Sequence, residues 1–457
     1  MLKTTKKASR VFALALAFIM CFSTVVWANP PLILEDGALM ATDQNNQVQV
    51  SITKLLRLPI GTTTPDAVFR FILEPISVNG NDSEDAVRNM PVFGDKGILE
   101  IHFSASDTRP HDPENNIITI DKETGNIFDA ITFPHTGQFP HAGHFVYRVT
   151  EIRKTNDNID DDEPYQTLSY STAEYELNIY VANRMPLDGT TYVYGIGAIV
   201  IEQDNPGQVE GTKVDPTPDG GVHFNYSQMT FTNDYVRTNA PDIPDDPDPV
   251  NESTLVISKT VGGDLGDTTQ YFDFELTLKA PVLVEDIPPF YKAYVVGIVD
   301  GNEVVIQLPE LLNNVMDSSI AIANNTGYDY INVSTTGPTA FKLKHEQRLV
   351  FVDTPVGTEY TVTEVDYTYY EQTVVVTTNG IAGETIRQEP ARPLETGTKF
   401  VGEAANIAAF TNTRSSVVPT GVNMNDLPFL GLIALPILAL AGFIAAKSRR
   451  RSYATYR

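Results

Sequence analysis

Three kinds of side chain that together can form an amide bond occur twice in this chain in the same order: a lysine, a glutamate and an asparagine. Each lysine lies in a run of β-branched residues, each glutamate follows a threonine at the end of an alternating run, and each asparagine ends the tripeptide Phe-Thr-Asn. The two sets are Lys54, Glu151 and Asn233, and Lys259, Glu364 and Asn412. This repeated order predicts a protein that crosslinks itself rather than one that acts on a substrate.

The predicted chemistry depends on burial. A lysine amine is protonated in water, but an apolar environment lowers the pKa of an amine and raises that of a carboxylic acid, so a neutral pair becomes accessible. The neutral amine can then attack the amide carbon of asparagine, while the glutamate moves the proton and ammonia leaves. We therefore predict one isopeptide bond in each set, with the glutamate as the catalytic residue. The alternative is that the lysines and glutamates are exposed strand residues and the asparagines are turn residues.

The first 28 residues have the pattern of a signal peptide. A basic segment (residues 3–10) precedes an apolar run (residues 11–26), and small residues suit cleavage after Ala28. Cys21, the one cysteine of the chain, would be removed with this segment. The mature protein would then be an exported chain without disulfides, for which the two isopeptide bonds would supply the covalent crosslinks.

The C-terminal segment, residues 415–457, predicts membrane insertion. Residues 427–446 are almost wholly apolar and about long enough to span a bilayer. Basic residues follow them, which places the C-terminus in the cytoplasm. Immediately upstream stands the motif Val418-Pro419-Thr420-Gly421. The alternative to a processed signal is an ordinary single-pass anchor with an incidental Pro-Thr-Gly.

The rest of the chain has the composition of an all-β protein. Alternating runs rich in Tyr, Phe, Thr and Val are bounded by Gly, Pro, Asn and Asp, and no long amphipathic helix is evident. This pattern predicts two tandem antiparallel β-sandwiches of immunoglobulin-like type. A segment rich in proline and aspartate marks a stiff linker at residues 238–252. The predicted domains are therefore residues 45–237 and 253–414.

The motifs resemble those of a known family. The first domain is similar to the pilin isopeptide-linkage domain of Gram-positive shaft pilins, and the second is similar to a related repeat of the same proteins. In the first, the similarity lies at Lys54, 69–73, 128–133, 143–151 and 231–233; in the second, at 255–264, 357–364 and 410–413. The C-terminal segment resembles a sortase sorting signal, although Val-Pro-Thr-Gly departs from the usual Leu-Pro-x-Thr-Gly.

The resemblance implies a structural pilus subunit on the cell surface. Sortase would cut between Thr420 and Gly421 and join the Thr420 carboxyl group to a lysine of the next subunit. Lys213 is the candidate lysine by family position, with Lys154 and Lys399 as alternatives. The implied partners are sortase, other copies of this protein or related pilins, peptidoglycan, and host or matrix ligands. Two other classes stay open: a wall-anchored adhesin or stalk that does not polymerise, and a surface enzyme whose site is not evident.

Charge and the remaining motifs exclude other functions. The formal net charge is −26, and removal of the basic ends would make the mature chain more acidic still, so binding to nucleic acid is not expected. Three histidines (His135, His141 and His144) lie in a Pro/Gly-rich turn, and the acidic run at residues 157–163 lacks the spacing of a calcium loop. We therefore predict no metal site and no cofactor.

Overall fold

The computed structural model describes residues 49–133, 139–153, 166–183, 191–200, 213–218, 226–238, 249–250, 253–284, 286–307, 310–315, 322–325, 327–389 and 392–416. Strands dominate these residues, so the predicted all-β class is confirmed. The few helical turns in the described part are short: α1 (Glu84–Val87), a 3₁₀ turn (Ile127–Ala130) and a π turn (Leu311–Val315).

The first half of the described chain contains strands β1 to β13. They are β1 (Thr53–Pro59), β2 (Ala67–Val78), β3 (Val92–Phe93), β4 (Ile98–Phe103), β5 (His111–Asp112), β6 (Ile117–Glu123), β7 (Ile131–Phe133), β8 (Gly143–Glu151), β9 (Gln166–Ser169), β10 (Glu174–Asn183), β11 (Thr191–Val200), β12 (Lys213–Val214) and β13 (Thr230–Arg237). One sheet has the order β5-β6-β1-β13-β9 and another the order β12-β11-β10-β8-β2-β4. The apolar faces of their strands form one core, with Leu56, Phe71 and Phe145 among its fully buried members.

The second half contains strands β14 to β27. They are β14 (Leu255–Gly262), β15 (Phe272–Lys279), β16 (Phe290–Val299), β17 (Asn302–Val305), β18 (Ile322–Asn325), β19 (Tyr328–Ser334), β20 (Thr339–Leu343), β21 (Gln347–Phe351), β22 (Glu359–Glu364), β23 (Glu371–Thr378), β24 (Ile381–Arg387), β25 (Leu394–Glu395), β26 (Lys399–Phe400) and β27 (Ile407–Thr413). The larger sheet has the order β18-β19-β16-β21-β14-β27-β23-β24, and the smaller has the order β20-β15-β22-β25. A second core lies among these strands.

The two halves repeat one arrangement of strands. In the first, β1 pairs with β6 on one side and β13 on the other; in the second, β14 pairs with β21 and β27 in the same way. The pairs β1–β13 and β14–β27 are parallel, whereas the neighbouring pairs are antiparallel. The sequence pattern predicted antiparallel sheets and did not reveal these two parallel pairs. They place the first and last long strands of each half side by side.

The two halves also contact each other directly. The backbone N–H of Val356 donates to the carbonyl of Arg237 over 2.8 Å, and Thr238 forms a β-bridge with Pro355. Glu403 accepts a hydrogen bond from the backbone N–H of Thr63 and lies 3.5 Å from the Arg237 guanidinium. These contacts lie at the ends of β1 and β13, so the paired strands of the first half abut the second.

The predicted signal peptide (1–28) and the apolar helix of the sorting segment (427–446) lie outside the described residues. Within the part of the chain that the structure describes, no helix is both long and apolar enough to cross a membrane.

Candidate functional site

The six predicted crosslinking residues occupy inward-facing positions of their strands. In β14, Leu255, Ile257, Lys259 and Val261 are buried and alternate with more exposed residues, which is the period of a strand with one face on a core. The lysine therefore extends into the apolar interior rather than into solvent. The other five residues are also buried: Lys54, Glu151, Asn233, Glu364 and Asn412.

In the first half, the structure brings the three residues of the first set into direct contact. Lys54 Nζ donates to Glu151 Oε1 over 2.7 Å, and Asn233 Nδ2 donates to the same oxygen over 2.9 Å. The lysine and glutamate side chains are fully shielded from solvent. One carboxylate oxygen thus holds the amine and the amide side by side.

The second half repeats this geometry. Lys259 Nζ lies 2.5 Å from Glu364 Oε1, and Asn412 Nδ2 donates to that oxygen over 2.8 Å. Both side chains of the ion pair are again fully shielded. In each set, the other glutamate oxygen (Oε2) is buried without a hydrogen-bond partner among the described residues.

Identical strand register explains the identical geometry. In the parallel pairs, Lys54 lies opposite Phe231 and Lys259 opposite Phe410, so each asparagine is two residues further along the last strand. In the antiparallel pairs of the facing sheets, Phe71 lies opposite Glu151 and Phe274 opposite Glu364. Each glutamate therefore reaches across from the second sheet to the lysine and asparagine of the first.

Aromatic rings form the walls of both sites. Lys54 Nζ lies 4.6 Å from the ring centre of Phe69, and Lys259 Nζ lies 4.4 Å from that of Phe272. Phe71 packs on Phe231 in the first half, as Phe274 packs on Phe410 in the second. Neither Phe69 nor Phe272 was assigned a role from the sequence, although the shared Phe-x-Phe pattern was the available signal.

Burial changes the protonation of both amines. It lowers the pKa of Lys54 to about 8, against the opposing effect of the Glu151 carboxylate. It lowers the pKa of Lys259 to about 8 in the same way, against Glu364. Loss of hydration disfavours the charged ammonium and so favours the neutral amine, which is a nucleophile. The asparagine side chain that it would attack contacts the same glutamate oxygen.

The two sites differ at the amide oxygen of asparagine. In the first half, Asn233 Oδ1 accepts a hydrogen bond of 2.7 Å from the backbone N–H of Ser171. In the second, Asn412 Oδ1 is buried and has no hydrogen-bond partner among the residues that the structure describes. Sequence reasoning did not find Ser171, because its contact is made by a main-chain group that any residue but proline carries.

The other predicted residues take no part in the hydrogen bonds of either Lys–Glu–Asn set, or they lie outside the described chain. Lys213 begins the short strand β12, which pairs with β11, and Lys399 begins β26 and is half-buried. Lys154 and the motif Val418–Gly421 lie outside the described residues. Of the histidines, His144 stacks on Tyr180 and contacts Asn178. The described residues include no group of three or more His, Cys, Asp or Glu that could hold a metal ion.

Comparison with known proteins identifies relatives of this chain. Residues 253–414 match a family described as a domain of unknown function (DUF7601). A pilin of Streptococcus pyogenes serotype M1 is 24% identical over 412 residues, which cover 87% of this chain and 89% of the pilin. The resemblance to Gram-positive pilins, predicted from the motifs, is thereby confirmed.

Two solved structures of Streptococcus pyogenes pilins are also similar. The major pilin is 18% identical, and the match covers 80% of this chain and 99% of the pilin with a TM-score of 0.30. The major pilin T3.2 of serotype GAS13637 is 16% identical, and the match covers 82% of this chain and 99% of that protein with a TM-score of 0.26.

Proposed function

Because the chain is homologous to a streptococcal pilin along most of both lengths, we propose that it is a structural subunit of a cell-surface pilus. The observation that carries this proposal is the pair of buried Lys–Glu–Asn sites, one in each half, at the same place in the same strand arrangement. Their role is structural: each site acts once, on its own chain, and the protein is not an enzyme for an external substrate. The proposed domains keep the predicted boundaries, residues 45–237 and 253–414.

Each site forms one isopeptide bond. The lysine ammonium gives a proton to the glutamate, and the neutral Nζ attacks Cγ of the asparagine, which forms the C–N bond and moves an electron pair onto Oδ1. The glutamate gives its proton to Nδ2 and takes a second proton from the attacking nitrogen. The electron pair on Oδ1 re-forms the carbonyl as the C–Nδ2 bond breaks, ammonia leaves, and the glutamate ends protonated.

The positions of the bonds suit a shaft under tension. Force on the first half enters near the start of β1 and leaves at the end of β13, and a Lys54–Asn233 bond joins these two strands directly. The pulling force then passes through the isopeptide bond, and the residues between Lys54 and Asn233 do not carry it. Lys259 and Asn412 join β14 and β27 in the same way. A chain that has lost Cys21 has no disulfide to serve this purpose.

Assembly proceeds through the terminal signals. Sortase cuts between Thr420 and Gly421, and the new carboxyl group is joined to Lys213 of another copy or of a related pilin, and finally to peptidoglycan. The product is a polymer on the cell surface, and the C-terminal helix (427–446) holds the chain in the membrane only before cleavage. Ligands on a host or matrix are further partners under this proposal.

A gel of cell-wall extracts tests the assembly. In boiled extracts of cells that express the protein, we expect a ladder of high-mass species that all react with an antibody to this chain. Thr420→Ala with Gly421→Ala should abolish the ladder and leave the protein in the membrane fraction. Lys213→Arg should abolish the ladder but allow wall attachment of the monomer. Lys399→Arg, at an alternative lysine, should leave the ladder intact. A single wall-attached band from the wild type would indicate a stalk or adhesin instead.

A further inference from the structure

We propose that the backbone N–H of Ser171 is a catalytic group that makes the first isopeptide bond form much faster than the second. This inference rests on the proposed crosslinking function and concerns the rate of each bond, not its existence. It follows from the one clear difference between two sites that otherwise match in residues, register, burial and lysine pKa.

The reacting atom in question is the amide oxygen of asparagine. When the lysine nitrogen attacks Cγ, the electron pair of the carbonyl moves to Oδ1, and the oxygen carries a developing negative charge. A hydrogen-bond donor already fixed beside that oxygen stabilises the charge in a dry site without reorganisation. The Ser171 N–H lies 2.7 Å from Asn233 Oδ1, within the distance that such a donor requires.

Strand length explains why, among the described residues, a donor to the asparagine oxygen is present at the first site and not at the second. β9 pairs with β13 as far as Ser169 opposite Asp234, and the chain then leaves the sheet to begin β10 at Glu174 in the facing sheet. Residues 170–173 cross between the sheets beside the site. The N–H of Ser171 is therefore free of the β-ladder and is directed at the asparagine side chain.

The equivalent strand of the second half continues past the site. β23 pairs with β27 from Glu371 to Thr377, with Gln372 opposite Asn412 and Thr373 opposite Thr411. Thr373 lies in the ladder with β27, and the carbonyl of Gln372 accepts from the N–H of Gln388 on the other side of β23. Asn412 Oδ1 therefore has no hydrogen-bond donor among the described residues. None of these residues would stabilise the negative charge that develops on this oxygen in the transition state.

The loss of one donor to an oxyanion slows acyl transfer by about a hundredfold to a thousandfold. We therefore expect the Lys54–Asn233 bond to form about a hundredfold faster than the Lys259–Asn412 bond. A short isotope pulse in cells that express the full chain, followed by a chase, quench in denaturant and proteolysis, gives both rates from the two crosslinked peptides. The two sites are compared in the same molecules, so differences in expression cancel.

Substitutions at Ser171 identify the group responsible. Ser171→Pro removes the N–H and should slow the first bond about a hundredfold. Ser171→Ala keeps the N–H and loses only the hydroxyl that accepts from the Ala173 N–H, so it should slow the first bond far less. The second bond should form at the wild-type rate in both variants. If Ser171→Pro prevents folding of the first half, the ratio of the two rates in the wild type still decides the question.

The outcomes separate this inference from the crosslinking proposal. Equal rates for the two wild-type bonds, or an unchanged first rate in a folded Ser171→Pro variant, would overturn the role of Ser171 and leave the crosslinks intact. Absence of both crosslinked peptides from the wild type at all times would overturn both proposals.

Discussion

The two halves of the molecule contain the same three residue types on the same arrangement of strands, yet the hydrogen bonds of the asparagine amide differ between them. In both, a lysine and an asparagine on adjacent parallel strands meet a glutamate from the facing sheet. In the first half, strand β9 ends next to the site at Ser169, whereas in the second half the equivalent strand β23 continues to Thr378. Among the residues that the structure describes, a backbone donor reaches the oxygen of the reacting amide in the first half and not in the second.

The features that bring the three side chains together differ from those that set the rate of the reaction. Register and the inward phase of the strands bring the three side chains together, and the aromatic walls keep the site dry in both halves. The length of one neighbouring strand then changes the polar contacts of the amide without changing the set. Related sites of this kind should therefore differ in rate because of local backbone geometry rather than residue identity.

The largest expected effect comes from removing one glutamate. Glu151→Ala should abolish the Lys54–Asn233 bond, because no other described group accepts the lysine proton, and the variant should fall short of its own sequence mass by one ammonia equivalent instead of two. Glu364→Ala should do the same for the second bond only. Glu275→Ala on the outward face of β15 is the matched control and should change neither bond. A crosslinked first half in Glu151→Ala would refute the role given to that residue.

Loss of the bond should next appear in stability. Asn233→Ala opens a loop that encloses most of the first half, and Asn412→Ala does likewise in the second. By chain entropy, each loss costs about 4–5 kcal/mol, treating the amide like a disulfide. For domains of this size the melting temperature should fall by roughly 10–15 °C. Calorimetry measures both transitions in one scan, so the unaltered half is the internal control; equal shifts in both halves would contradict independent crosslinks.

The pH dependence of crosslinking tests whether the glutamate proton is needed. The reactive neutral pair holds one transferable proton, on the carboxyl group, and has the same proton count as the ion pair. Because the lysine pKa is lowered to about 8, the pair loses that proton above pH 8. The rate should therefore be flat just below pH 8 and fall by about tenfold per unit above it. A rate that keeps rising above pH 8 would mean that the free amine alone is limiting.

The smallest effect is expected at the contact between the halves. Glu403→Ala removes the acceptor of the Thr63 N–H and the partner of Arg237, both partly exposed. Such exposed contacts contribute no more than about 1 kcal/mol, so both transitions should move little. Hydrogen exchange should become faster near Thr63, while Glu395→Ala, an exposed position on β25, should leave it unchanged. A large fall in either melting temperature would show stronger coupling than these contacts predict.

Much of the candidate site could be predicted from the sequence, because its residues follow the period of a strand. Lys259 takes the place of an apolar residue in the alternation of β14, and Asn412 does so in β27. The all-β class follows from the same alternation. The register of the parallel pairs could not be predicted, since it depends on long-range packing of the first and last strands. The Ser171 donor could not be predicted either, because every residue except proline has a main-chain N–H.

The central claim is most directly tested by the intact mass of the wild-type segment from residue 29 to residue 420. We predict a mass lower than the sequence mass by two ammonia equivalents, with proteolytic fragments that join Lys54 to Asn233 and Lys259 to Asn412. A fully folded protein whose mass equals that of the sequence would contradict the account.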